Sequence, residues 1–532
     1  MTTYNVALKE GVDYDAFWTE IETDGSGSTY VPQRSVDIVN ARPSSLRQCW
    51  YELTDDEAEK LRNDPRVYCV EIPPEHRTDI KIENNASQTG LSYRVAGRNP
   101  TNTGKGFNPQ NNLGINWGLF RLNSRVNNTT GFENTMTYDY PLDASGVDVV
   151  IQDTGCQVDH PEFTDAAGVT RVQQIDWFAA SGISGTMPAT FYTDNDGHGT
   201  HVTGIAAGKT YGRAKNAKIY VMSVEGLVAA PTVGISVSNV FDCIKGWQNN
   251  KPINPATGYK RPTVVNMSWG YVGDFDEGIN GGVYQGTAWA GTTVQPQYGM
   301  IGNGNNNYGI RIDSVDVDVA ELLAAGVVLV GAAGNYYQTI DVPGGANYNN
   351  FYNRTSDGLQ RYYMQGGSPS CASGVICVGG VNLLGTTESG DPSVKASYSE
   401  SGPRVDLYAP GQQIVSTTSN NNRYQAITLY PFNSAFKIMQ ISGTSMASPN
   451  MTGIVAQLLQ VYPTATPTQM RQMIIDACTV DAIFDDPDEA NNYANPNLLH
   501  GGPNRYGYQA FQTASTGNVA GSLTMTNTVI AN

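Results

Sequence analysis

Three short stretches of this sequence carry the residue types that covalent catalysis needs. Asp153-Thr154-Gly155 follows directly on the apolar run 147–152. Asp196-Gly197-His198-Gly199-Thr200-His201 comes next, and Gly443-Thr444-Ser445-Met446-Ala447-Ser448-Pro449 opens a helical pattern. In chain order they supply a carboxylate, an imidazole and a hydroxyl. A serine hydroxyl is a weak nucleophile and needs an adjacent base. Imidazole suits that task, because its pKa lies near neutrality. A buried carboxylate holds the imidazole tautomer and stabilises the imidazolium that forms. Each stretch alone has a plainer reading. A strand-end Asp is often a loop residue, His198 and His201 could be a core or metal pair, and a serine there could be a helix cap. Taken together, in this order and with the runs 264–270 and 328–335 between the second and third, they point to nucleophilic catalysis. His201, His160 and His500 are expected to be structural or surface residues. Cys156 is expected to be a small core residue, since no base is assigned to it.

Those residues need elements to position them. The runs 147–152, 217–224, 263–269, 327–334 and 374–381 are nearly continuous apolar strands, and helical patterns cover 237–247, 317–326, 445–462 and 466–478. Such runs separated by helices predict a parallel sheet covered on both faces. The acid then sits at a strand end, where open sheets of this kind place their sites. Ser445 begins a helix, where free N–H groups favour a developing anion.

Before this body lies a smaller unit. Strands are predicted at 3–9, 34–39, 47–53 and 66–72, with helices over 12–22 and from a capping box at Thr54 and Glu57. The order β-α-β-β-α-β makes 1–72 a small α+β ferredoxin-like unit. Residues 73–114, rich in Asn, Gly and Thr, read as a linker or an arm. The body is placed at 115–480, with insertions near 271–316 and 336–373, and 481–532 as a C-terminal extension.

Composition narrows the function. The chain has 532 residues, 49 Asp+Glu against 32 Lys+Arg, and a formal net charge of −17. That acidity argues against nucleic acid and anionic membranes as partners. No stretch approaches the roughly 18 apolar residues of a membrane span. The first residues lack a basic and then apolar leader, so synthesis in the cytoplasm is expected. The seven Cys show no CxxC pair, and only Cys371 and Cys377 are close enough in sequence to suggest a local bond.

With their flanks, the three blocks resemble the subtilisin-like serine proteases (subtilases, peptidase S8), most nearly the proteinase K-like branch. DVVIQDTGCQVDHPEF (148–163), NWGLFRL (116–122), VVNMSWG (264–270) and VLVGAAGN (328–335) carry the resemblance. It implies a subtilisin-like α/β/α catalytic domain with Asp153, His198 and Ser445 as the catalytic triad. Asn335 and the Ser445 backbone N–H would form the oxyanion hole. Ser268, Trp269 and Gly270 would pair with the substrate backbone, Ala332, Ala333 and Gly334 would line the pocket for the residue before the cut, and a second substrate strand would lie near 224–231. LTDDEAEKLRNDPRVYCVEIPPE (53–75) is similar to the I9-like propeptide of the same family. That likeness implies an intramolecular chaperone and inhibitor. Polypeptide substrates and the chain's own N-terminal domain are the implied partners. No cofactor is required for the chemistry. The family often binds structural Ca²⁺, and the acidic clusters Asp194/Asp196, Asp313/Asp316/Asp318 and Asp485/Asp486/Asp488 are where one would be sought, although none has the EF-hand pattern.

Two other functions compete. The long arm and large insertions also suit a structural or assembly protein, a virion component for instance, that retains a self-inhibited subtilase body. An esterase is disfavoured, because the G-x-S-x-G elbow is replaced by Gly443-Thr444-Ser445-Met446-Ala447.

Overall fold

A computed structural model describes residues 1–23, 28–84, 86–88, 116–126, 140–228, 233–302, 306–382, 393–426 and 428–509. Residues 89–114 of the arm, 229–231 of the second substrate strand and 510–532 of the C-terminal extension lie outside the described residues.

The main sheet has eight strands. Six of its parallel strands, Leu407–Pro410, Ile376–Val381, Val328–Ala332, Thr263–Met267, Asp148–Asp153 and Lys218–Ser223, lie in that spatial order, the last at one edge. Alternate side chains build two cores. Val149, Ile151, Val264, Val328 and Val330 face one core, and Val150, Val265 and Leu329 face the other. That is the period of two expected of strands buried on both faces. The helices His198–Ala207 and Thr444–Val461 contribute to the first core, and Val237–Asn250 and Asp313–Ala324 to the second.

The N-terminal strands Thr2–Leu8, Ile38–Asn40, Gln48–Leu53 and Val67–Glu71 form a separate antiparallel sheet. The helices Tyr14–Glu22 and Asp55–Arg62 belong to the same unit, with its own core around Val6, Phe17, Tyr51 and Leu61. The capping box at Thr54 and Glu57 is present.

One sequence boundary needs correction, and two regions hold more regular structure than their composition implied. Residues 73–88 are not a bare linker. Lys81–Glu83 pairs with Gly270–Asp274, and Ser87–Gln88 pairs with Asn433–Ser442. A strand added to another's edge borrows its hydrogen bonds and needs no apolar period of its own. The insertions 271–316 and 336–373 carry strands of their own. Ile279–Tyr284, Thr287–Trp289, Phe351–Arg354 and Gln360–Tyr362 form one antiparallel sheet that joins the two insertions. Against it Phe275 stacks on Tyr308 and packs at an angle on Tyr352 and Tyr363, and the Tyr308 and Tyr352 hydroxyls meet at 3.0 Å. Tyrosine suits this role, being apolar in body and polar at its tip. Finally, the body does not end at 480. Arg505–Tyr506 pairs with the main-sheet strand Leu407–Pro410, and two residues are too few to show a period. Cys371 and Cys377 remain free thiols, with their sulfurs 3.9 Å apart.

Candidate active site

Asp153 ends its strand, and His198 opens the helix His198–Ala207. His198 Nδ1 lies 2.7 Å from Asp153 Oδ1, both residues fully buried. The Thr154 N–H donates to the same oxygen at 2.8 Å. The turn before His198 is built on Asp194. Its carboxylate accepts from the Gly197 and Thr200 N–H groups at 2.8 and 2.9 Å, and from the Thr154 and Thr200 hydroxyls. Asp194 is therefore a turn scaffold, with both oxygens engaged. Asp196 accepts from the His198 N–H at 3.2 Å and pairs with Arg423. Burial raises its carboxyl to about 6, against the pull of Arg423.

Ser445 lies in the first turn of the helix Thr444–Val461. Its Oγ donates to the Ser268 carbonyl at 3.3 Å, and the Ser268 hydroxyl donates back to the Ser445 carbonyl at 3.0 Å. His198 Nε2 is buried without a hydrogen-bond partner. The structure thus forms the acid–imidazole pair but leaves the imidazole–hydroxyl bond unmade, a common state of resting sites. Behind them Asn266 ties its own strand and the loop that follows it to the helix Thr444–Val461. It donates to Ser268 Oγ at 2.8 Å and accepts from Ser448 and Thr452 at 2.8 and 2.9 Å. Asn335 Oδ1 accepts from both the Thr444 N–H at 2.8 Å and the Thr444 hydroxyl at 2.9 Å. This turns its Nδ2 toward Gly443.

Ser268, Trp269, Gly270, Ala332, Ala333 and Gly334 line one cleft with Asn335 and Ser445. The chain's own Glu83 and Asn84 line it too. Gly270 pairs with Glu83 on one side of Ser445, Ser442 pairs with Ser87 on the other, and Ala86 lies against Gly443. Glu83 and Ser87 are thus each held in extended form against strands of the body. The propeptide resemblance implies that the chain's own C-terminal pro-strand lies in the active site, but sequence reading placed no strand at 81–88 and missed the roles of Asp194 and Asn266. The Asn in 264–270 was one signal that could have been followed.

His201 is buried, with its pKa lowered to about 3 by burial and by the neighbouring His198. His160 and His500 are buried as well, bonded to the Lys437 carbonyl and the Ser401 hydroxyl. Burial pushes the Cys156 thiol well up, which suits a core residue rather than a nucleophile.

A model of the subtilase family matches residues 144–508 of this sequence. The chain belongs to the subtilase family. Its class is accordingly that of serine endopeptidases. It is 27% identical over 460 residues to an extracellular serine proteinase of Thermus sp., covering 86% of this chain and 75% of that protein. It is 27% identical over 408 residues to a subtilisin-like serine protease of Cochliobolus lunatus, covering 75% of this chain and 61% of that one. The fold is shared with fervidolysin of Fervidobacterium pennivorans, described as a keratinolytic enzyme related to subtilisin. The TM-score is 0.51 at 16% identity, covering 94% of this subtilase and 60% of that chain.

Asp242, Asp318 and Glu321 are the one carboxylate trio close enough for an ion among the described residues. Arg42 already pairs with the first two and Lys245 with the third. Asp316 is engaged by Arg311 and by the Ser368 hydroxyl. Among the described residues, no helix is long and apolar enough to cross a membrane.

Proposed function

We propose that this subtilase hydrolyses peptide bonds through an acyl-enzyme on Ser445, and that its N-terminal unit occupies the cleft as an inhibitor in cis. The observation that carries the reading is the buried Asp153–His198 pair with a bare Nε2, taken with Ser445 and Asn335 in the wall of one cleft.

In the first step His198 Nε2 takes the Ser445 proton as Oγ attacks the peptide carbonyl. Asp153 holds the imidazolium that results. The oxyanion meets the Ser445 N–H and Asn335 Nδ2, which need no reorganisation at that moment. His198 then returns the proton to the leaving amine, and water repeats the sequence in reverse to free the acid. No cofactor enters these steps. The substrate would lie as a strand along Ser268–Gly270, at whose end Glu83 now pairs with Gly270.

The test is intact mass and N-terminal sequencing of the purified chain beside Ser445→Ala. The wild type is expected to lose its N-terminal unit, giving a new N-terminus between residues 84 and 88, while the variant stays at 57.3 kDa. Turnover of a peptide substrate should fall on the order of 10⁶-fold in the variant. Equal processing and turnover in both proteins would overturn the reading. An intact and inert wild type would favour the self-inhibited structural protein instead, a role that the strand pairing on both sides of Ser445 also suits.

A further inference from the structure

One wall residue of the cleft has chemistry that the peptide-bond steps do not use. Glu400 lines the cleft with Ser268, Gly334 and Ser370, yet it is wholly buried. Both of its carboxylate oxygens are without a hydrogen-bond partner. Oε1 lies 2.7 Å from the point a Cβ on Gly334 would occupy, so only glycine leaves room for it there. Gly334 also has φ +124°, which favours glycine for its own reasons. The placement is fixed by main chain. The Glu400 N–H donates to the Gly334 carbonyl at 3.1 Å, and the Ser399 hydroxyl donates to the Glu400 carbonyl at 2.9 Å.

Lys395 does not satisfy this carboxylate. It spends its hydrogen bonds on the Ser399 and Ala396 carbonyls, at 2.7 and 3.2 Å. Burial holds the Glu400 carboxyl well above the usual range, Cys371 adds to that, and Lys395 opposes it. A buried carboxylate without partners is costly, and native structures rarely keep one without a use.

We propose that Glu400 sets the specificity of the cleft, receiving the cationic side chain, arginine before lysine, of the substrate residue whose carbonyl meets Ser445. The inference rests on the serine-peptidase reading above. The buried acid is neutral when the cleft holds no cation, and an entering guanidinium favours its ionised form, whose two oxygens match the paired N–H groups better than they match a point charge. A carboxylate in the pocket beside the nucleophile selects a cationic residue there. The chain's net charge of −17 draws basic peptides in the same sense. Residues 83–87 hold no Arg or Lys, so the cut in cis relies on tethering and the preference applies to substrates in trans.

The test uses the processed enzyme and fluorogenic peptides that differ only at the residue before the cut: Arg, Lys, Gln, Leu or Phe. Arg and Lys are expected to lead in kcat/KM. Glu400→Gln should lose about 10- to 100-fold on those two and leave Leu and Phe nearly unchanged. A wild type that prefers Leu or Phe, cutting in a Ser445-dependent way, overturns the specificity role alone. An equal loss on every peptide in Glu400→Gln also overturns it, because that is what a merely structural residue would give. Turnover that survives Ser445→Ala overturns the underlying reading instead. Titration with fluorescent p-aminobenzamidine adds a readout independent of turnover. Saturable binding by the wild type that Glu400→Gln loses and Glu400→Asp partly keeps supports the proposal, and no binding by the wild type overturns it.

Discussion

The N-terminal unit meets the body at two places that work in different ways. On the helices Val237–Asn250 and Asp313–Ala324, contact is made by side chains. Arg42, 1% exposed, reaches Asp242 at 3.0 Å and Asp318 at 2.6 Å, and Gln48 donates to Asp318 at 2.7 Å. Glu71 and Glu75 accept from the Ser314 and Ser238 N–H groups at the starts of the same two helices. In the cleft, contact is made by main chain, with Lys81–Glu83 and Ser87–Gln88 added as strands. The first place depends on which residues are present, and the second mostly on their being extended. The lesson is that attachment and occupation of the cleft are separable by mutation.

The largest effect should come from Arg42→Ala. Removing one member of a buried ion cluster strands the others, at about 3–5 kcal/mol. Arg42 is also held in a left-handed backbone conformation, φ 45°, with its N–H on Asn40 Oδ1, so its place is strongly determined. After processing, the N-terminal fragment is expected to co-elute with the wild-type body and to separate from the variant. Adding Asp242→Asn and Asp318→Asn to Arg42→Met should restore part of the attachment. If Arg42→Ala changes nothing in co-elution, the side-chain contact is not what holds the unit.

This contrast also explains what could be read in advance. The central strands and their helices were legible, because 148–153, 263–267 and 328–332 are long apolar runs whose burial dictates their residues. The Asp153, His198 and Ser445 blocks were legible because chemistry restricts their types. Arg42 was not, since a partner 200 positions away leaves no local pattern. Nor was Glu400, whose interest lies in the hydrogen bonds it lacks. Lys81–Glu83 looks like loop sequence because its partner strand supplies the order.

Acidity should tighten the side-chain contact by a smaller amount. Burial raises the Glu71 carboxyl from 4.5 to about 7, with nearby Asp313 adding to the rise and the Ser314 hydrogen bonds and Arg77 opposing it. The docked unit therefore holds a proton that the free unit releases. The sign follows from linkage: this contribution is fully present below about pH 4.5 and is lost as pH rises through about 7. Fragment retention on the body should fall over that window, and Glu71→Gln should flatten the profile. A wild-type profile that rises over the same window would show that another group governs release.

The smallest effect should come from the cleft. Ile82 pairs with Tyr271, and its Cγ2 lies 2.5 Å from where a Cβ on Gly226 would stand. Ile82→Ala removes a half-buried side chain but leaves every backbone N–H and carbonyl of the added strand in place. About 1 kcal/mol is expected, below the usual range for a fully buried site. That is roughly a fivefold change in retention, against the hundredfold or more expected at Arg42. The processing rate should change as little, because the main chain still presents the same bonds to Ser445. If Ile82→Ala released the unit as completely as Arg42→Ala does, occupation of the cleft would itself be the attachment. The two places would then be one energetic unit rather than two.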